Sequence, residues 1–157
     1  EYDWPGSGSR IMLNGEYRAL KWLLDNVRGT PIVAEAPAGN YTVEGESLSF
    51  DYYRAGGLRV ASMTGLPSFV GHHQYEQRPA MQVAEQGARG KEFFSTTDLA
   101  TTRRLMRELH VGYIYIGRLE QILFSSNSLR KFKVLVEAGE LTVAYRNDDV
   151  TIYRVAD

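Results

Sequence analysis

The densest group of side chains able to do chemistry is His72, His73, Glu76, Gln77 and Arg78, led in by Thr64-Gly65-Leu66-Pro67. A histidine can act as general base or acid, a glutamate can serve as its partner, and an arginine can anchor a carboxylate or phosphate. His73 with Glu76 is therefore the candidate catalytic pair, and Thr64, His72, Gln77 and Arg78 are candidate binding residues beside it. The same side chains can also satisfy one another as a polar network that pins a long loop to a sheet. Zinc uses these ligand types, but adjacent histidines diverge and the helical pair at i, i+4 is absent, so no metal site is expected. Glu35 and Arg59 join the candidate binding set. Glu35 closes a short apolar strand, and ligands of α/β sheets bind beyond strand carboxyl ends. Its plainer role is to accept loop amides or to pair with Arg59.

The elements that must hold these residues follow from periodicity. Residues 16–28 place Leu20, Leu23, Leu24 and Val27 at helical spacing, with Asn14 as a cap and Gly29 as a stop. Ile32-Val-Ala34 then reads as a short buried strand. Residues 37–57 are loop-like, with an alternating run at 48–52 that suits an edge strand or extended segment. Residues 58–62 read as another short strand. Residues 80–94 suit a helix broken at Gly87 and Gly90. Ser95-Thr-Thr-Asp98 has the form of a capping box. It precedes a helix whose inner face is Leu99, Thr102, Leu105, Met106 and Leu109. Val111–Ile116 is apolar on both faces, which puts it mid-sheet between helical layers. A further helix at 127–138 and a hairpin of 141–145 with 150–155 around Arg146-Asn-Asp-Asp149 complete the chain. The reading is a single compact α/β domain over residues 11–157. It has a mixed, mostly βα-connected sheet, flanking helices and a C-terminal β-hairpin. Residues 1–10 serve as a linker or irregular start.

Composition narrows the function classes. The 157 residues carry 18 Lys plus Arg against 19 Asp plus Glu, so no broad nucleic-acid partner is expected. The absence of cysteine excludes disulfides, a thiol nucleophile and Cys-ligated zinc. No apolar run approaches the ~18 residues of a membrane span. Gly6-Ser-Gly8 and Gly56-Gly57 do not make a phosphate loop, and no strand runs into GxGxxG, so no cofactor is expected. Asn40-Tyr-Thr42 matches the N-glycosylation pattern, a short pattern that often arises by chance. The chain starts at Glu1, which fits an excised or processed piece.

Several segments resemble the C-terminal extracytoplasmic region of the YYY family of bacterial and archaeal polytopic membrane proteins, which are similar to glycosyltransferases of the GT-C class. They are IMLNG (11–15), ALKWLLDNVRGTPIVAEA (19–36), RVASMTGLPSFVG (59–71), EQR (76–78), FFSTTD (93–98), LMRELHVGYIYIGRLE (105–120), KF (131–132) and VTIYRV (150–155). One departure is local. Family members often carry a tryptophan after the glycine that follows TGLP, whereas His72 follows Gly71 here, and the His, Glu and Arg are spaced differently. The resemblance implies transmembrane helices ahead of Glu1 and a cell-membrane location with this domain on the extracytoplasmic side. It implies a domain inert alone, whose loop 64–79 contacts the membrane portion of the same polypeptide, a lipid-linked sugar or a glycan acceptor. The alternatives are a free-standing hydrolase or transferase using a His-Glu pair, and a purely structural interaction domain.

Overall fold

The structure is a computed structural model that describes residues 2–3, 10–11, 13–50, 58–69 and 79–156. Two short pieces, β1 (Tyr2–Asp3) and β2 (Arg10–Ile11), pair antiparallel. Then come α1 (Leu13–Asn26), β3 (Ile32–Ala34), the hairpin β4 (Gly39–Val43) and β5 (Glu46–Phe50), and α2 (Arg59–Thr64). The chain continues through α3 (Ala80–Ser95), α4 (Leu99–Glu108), β6 (Val111–Ile116), α5 (Arg118–Leu123), α6 (Ser126–Glu137), β7 (Leu141–Arg146) and β8 (Thr151–Val155).

The main sheet has the order β3-β6-β8-β7. β3 runs parallel to β6, and the closing hairpin adds β8 and β7 antiparallel. Strand alternation divides the core into two layers. Val33, Tyr115 and Ile152 face α1 and α2, packing with Ala19, Leu20, Leu23, Val27, Val60 and Leu66. Ala34, Ile114, Ile116 and Tyr153 face the other way, onto α3, α4, α5 and α6. β6 is thus covered on both faces, as its unbroken apolar sequence requires. The second layer is built on aromatics. The Phe93 and Phe94 rings meet edge-on at 5.3 Å between centroids, Phe69 sits 5.6 Å from Phe93, and Phe132 joins them.

Several local expectations are corrected. Residues 58–62 are not a strand: Arg59–Thr64 is a helix, entered through Leu58 at φ 56°. A carboxylate from another element holds its first turn, which no local pattern reveals. The loop-like stretch 37–57 contains a true hairpin, with Glu44 and Gly45 both at positive φ in the turn. Two left-handed positions suit a hairpin turn, but Glu-Gly lacks the usual Asn-Gly or Asp-Gly signature. Asn14 lies inside α1, which starts at Leu13 and ends at Asn26 rather than running to residue 28. Ser95 ends α3 and caps nothing. Asp98 is the cap of α4, accepting the Thr101 N–H at 2.7 Å.

α3 runs unbroken through Gly87 and Gly90. Gly90 is there for room: a Cβ at this position would meet the Phe69 ring at 2.8 Å. The buried Lys131 closes the helix by donating to the carbonyls of Phe94 (2.9 Å) and Thr96 (2.7 Å). Gly90→Ala should therefore destabilise the protein. Alanine gains about 1 kcal/mol of helix propensity, but overpacking typically costs about 1–3 kcal/mol. A urea melt checks this, and a midpoint raised above wild type would contradict it.

Candidate functional site

Three buried acids and a partly buried arginine meet at the carboxyl ends of the two parallel strands, β3 and β6. Glu35 directly follows β3, and Glu120 lies in the first turn of α5, directly after β6. Glu16 comes from α1 and Arg59 opens α2. The Arg59 side chain is 15% exposed, and it reaches all three acids. Its Nε donates to Glu16 Oε2 at 3.0 Å and its Nη2 to Glu120 Oε2 at 2.6 Å. Its Nη1 stands 3.9 Å from Glu35 Oε2 and makes no hydrogen bond. The guanidinium carbon sits 5.0 Å from the centre of the Tyr115 ring, a cation–π distance.

Each carboxylate also gathers main-chain donors. Glu35 accepts Val60 N–H (3.0 Å) and Ala61 N–H (3.2 Å), two amides of the first turn of α2 that a helix cannot satisfy itself. Glu120 accepts Gly117 N–H (2.8 Å) and Ala36 N–H (2.9 Å), so it ties the two strand ends together. Glu16 accepts Arg118 N–H (2.8 Å) and the Tyr115 hydroxyl (2.6 Å). Gly117 makes the approach possible: a Cβ there would overlap the Glu16 carboxylate.

Glu35 and Glu16 are tuned apart. Burial dominates at Glu35 and pushes it up to about 7, against the pull of Arg59 and the Val60 N–H. Burial also acts to raise Glu16, but Arg59, the Tyr115 hydroxyl and the Arg118 N–H together hold it below the ordinary carboxylate range. Burial works against the charge on Arg59, yet Glu120 and Glu16 outweigh it and keep the guanidinium firmly protonated. Burial, then the neighbouring Glu16, pushes the Tyr115 hydroxyl upward, so it donates and does not ionise. One positive charge sits among three acids, and Glu35 is the one raised toward neutrality, so it takes up a proton as pH falls through about 7. The arrangement is a clamp: it can fix backbone and hold a proton, and all its donors but Arg59 Nη1 are spent on neighbours within the fold.

Of the candidate residues, Glu35 and Arg59 are brought together here. Thr64 ends α2 close by, with its hydroxyl donating to Val60 O (2.6 Å) and accepting Leu66 N–H (3.1 Å). Val33 N–H donates to Pro67 O at 2.8 Å, so the strand holds the segment that leads toward residue 70. His72, His73, Glu76, Gln77 and Arg78 lie outside the described residues. Glu16, Tyr115 and Glu120 join Glu35 and Arg59, although no local pattern singles these residues out as a site. In sequence Glu16 is one acid at the start of a helical stretch, and Tyr115 lies in a strand that is apolar on both faces. The signal for Glu120 was Gly117-x-x-Glu120, a glycine followed three residues later by an acid at the end of a strand.

The class these observations define is a mixed α/β domain with helical layers on both sheet faces and a buried ion cluster at its parallel strand ends. No family model matches the sequence, and no curated protein does. Among solved structures, it is similar to the C-terminal globular domain of an oligosaccharyltransferase from Archaeoglobus fulgidus. The TM-score is 0.56 at 12% identity, and the match covers 94% of this chain and 100% of that one. At this identity the likeness is one of fold.

Two predictions follow from the clamp. Arg59→Met strands three buried acids and should cost about 3–5 kcal/mol, the usual loss on removing one partner of a buried pair. Denaturant unfolding measures it, and a loss under about 1 kcal/mol would contradict the clamp. The second concerns pH. Glu35 holds its proton more tightly folded than unfolded, so its contribution is fully present below pH 4.5 and is lost as pH rises through about 7. The stability of wild type relative to Glu35→Gln should therefore decline as pH rises across that window. A difference independent of pH would contradict the assignment.

Proposed function

We propose that this chain is the extracytoplasmic accessory domain of a polytopic, glycosyltransferase-like membrane protein of the YYY kind. On this reading the domain is inert alone. It contacts the membrane portion of its own polypeptide, a lipid-linked sugar or a glycan acceptor through the loop of residues 64–79. The observation that carries the reading is the fold likeness, which spans nearly the whole of this chain and the whole of an oligosaccharyltransferase's C-terminal globular domain. The YYY-like segments quoted above add to it from the sequence side. No helix among the described residues is long and apolar enough to cross a membrane.

The clamp gives the loop a mechanical role. Glu35 and Arg59 hold α2, and the Val33–Pro67 bond holds the segment after it. The chain is thereby delivered to residue 69 from a fixed base at the carboxyl ends of the parallel strands. In α/β sheets that is where ligands bind. Rigid elements that present a loop are the usual way a fold positions a contact surface.

The test uses the full-length parent. Sugar transfer should fall at least about tenfold, or 1.4 kcal/mol in the transition state, when Glu76 and Arg78 are both replaced by alanine, with the melting temperature unchanged. The 157-residue chain alone should show no transfer. Unchanged transfer in the double variant would remove the loop from function. Turnover by the isolated chain, lost on His73→Ala, would replace this reading with a free-standing enzyme.

A further inference from the structure

One sequence motif has no part in the clamp. Asn40-Tyr-Thr42 is the only stretch of the chain that runs asparagine, a residue other than proline, then a hydroxyl residue. Asn14, Asn26, Asn127 and Asn147 all lack the hydroxyl two residues on. Three residues match often by chance, so what distinguishes this stretch is how the fold presents it.

The motif lies in β4, where side chains alternate between the two faces of the hairpin. Tyr41 points inward: its ring meets Phe124 edge-on at 5.6 Å, and its hydroxyl donates to Pro37 O at 2.5 Å. Asn40 and Thr42 share the opposite face, and both are exposed. Across the ladder Asn40 stands beside Ser49 and Thr42 beside Ser47, and both serines are exposed too. The neighbours of Asn40 on this face are thus short hydroxyl side chains, which leave room for a bulky group. The Asn40 carbonyl is occupied, accepting Lys91 Nζ at 2.5 Å, whereas its side-chain amide makes no hydrogen bond among the described residues. Asn26 and Asn147, by contrast, spend their amides on Trp22 O and Gly15 O.

We propose that Asn40 is the acceptor of an N-linked glycan. The modification needs an accessible asparagine amide with a serine or threonine hydroxyl two residues on. In a strand, residues i and i+2 share a face, so the Asn40 amide and the Thr42 hydroxyl are offered together to one approaching transferase. The donor is a lipid-linked oligosaccharide. A bond forms between Asn40 Nδ2 and the anomeric carbon of the first sugar. The bond from that carbon to the lipid phosphate oxygen breaks, and the phosphate leaves with the electron pair. One Nδ2 proton passes to a base of the transferase. The assignment rests on the extracytoplasmic reading above, since donor and transferase must meet the domain on that side, and it adds a modified residue to that reading.

The test uses the parent protein purified from its own host. Trypsin releases residues 29–54 as one peptide in which Asn40 is the sole asparagine. In mass spectrometry this peptide should carry an added series of sugar masses, with fragmentation placing them on Asn40. The peptides holding Asn26 and Asn127, which are exposed but lack the motif, should carry none. Asn40→Gln and Thr42→Ala should each abolish the addition, whereas Thr42→Ser, which keeps a hydroxyl, should retain it. An unmodified 29–54 peptide in the wild-type protein would overturn the proposal. So would sugar that persists in Asn40→Gln, which would mark the Thr42, Ser47 or Ser49 hydroxyl as the attachment point. Protease treatment of spheroplasts separates the two readings. A domain cleaved from outside with an unmodified Asn40 removes only this site. A domain protected until the membrane is breached removes the extracytoplasmic reading, and this site with it.

Discussion

Arg59 is the one positive charge shared by three buried carboxylates, and the layout of the site depends on it. Glu16 arrives from the first helix, Glu35 from the end of β3 and Glu120 from the turn after β6. Without the guanidinium these acids would repel one another in a place where water cannot screen them. With it, each carboxylate is free to accept main-chain amides: Val60 and Ala61, Gly117 and Ala36, and Arg118. The cluster therefore organises backbone. It joins α1, α2, β3 and α5 at one end of the sheet through hydrogen bonds that no apolar packing would supply. A buried ion network is a poor source of net stability, since apolar replacements are often as stable. Its value here is placement: it fixes where α2 ends and where the following segment begins.

The two faces of the sheet divide the labour. One face carries a thick aromatic layer, with Phe69, Phe93, Phe94, Phe124 and Phe132 in mutual contact, and supplies most of the cohesive burial. The other face carries only α1 and α2 over a smaller apolar cluster, together with the charged network. Phe69 belongs to the aromatic layer, while its near neighbour Pro67 is bonded to Val33. The segment after α2 is therefore anchored in both layers as far as Phe69. That double anchoring gives the proposed contact loop a rigid base.

Much of this was legible in the sequence where the signal is local and periodic. The helix at 99–108, the doubly covered strand at 111–116, the helix near 127–138 and the closing hairpin all follow from apolar spacing and turn residues. What escaped was set by distant partners. Val60 and Ala61 alternate like a strand, but the Glu35 carboxylate caps their amides and makes them a helix. Gly90 reads as a breaker, but it is room for the Phe69 ring inside an unbroken helix. Half of the ion cluster was visible as Glu35 and Arg59, because a charge at a strand end is conspicuous. Glu16 and Glu120 each look like ordinary first-turn acids, and only the fold shows them converging on one guanidinium. Tyr115 hides in a core strand because its ring is core and only its hydroxyl is polar.

The claim that most needs testing is that the guanidinium fork, and not its charge alone, holds these elements together. Arg59→Lys keeps the charge but replaces the planar fork with a single ammonium that cannot serve Glu16 and Glu120 in the same geometry. Amide hydrogen exchange on that variant reads the consequence residue by residue. Protection should fall at Val60, Ala61, Gly117 and Arg118, and stay at the wild-type level at Phe132 and Leu135 in the aromatic layer. Unchanged protection at those four amides, or a loss spread evenly over both layers, would contradict the account.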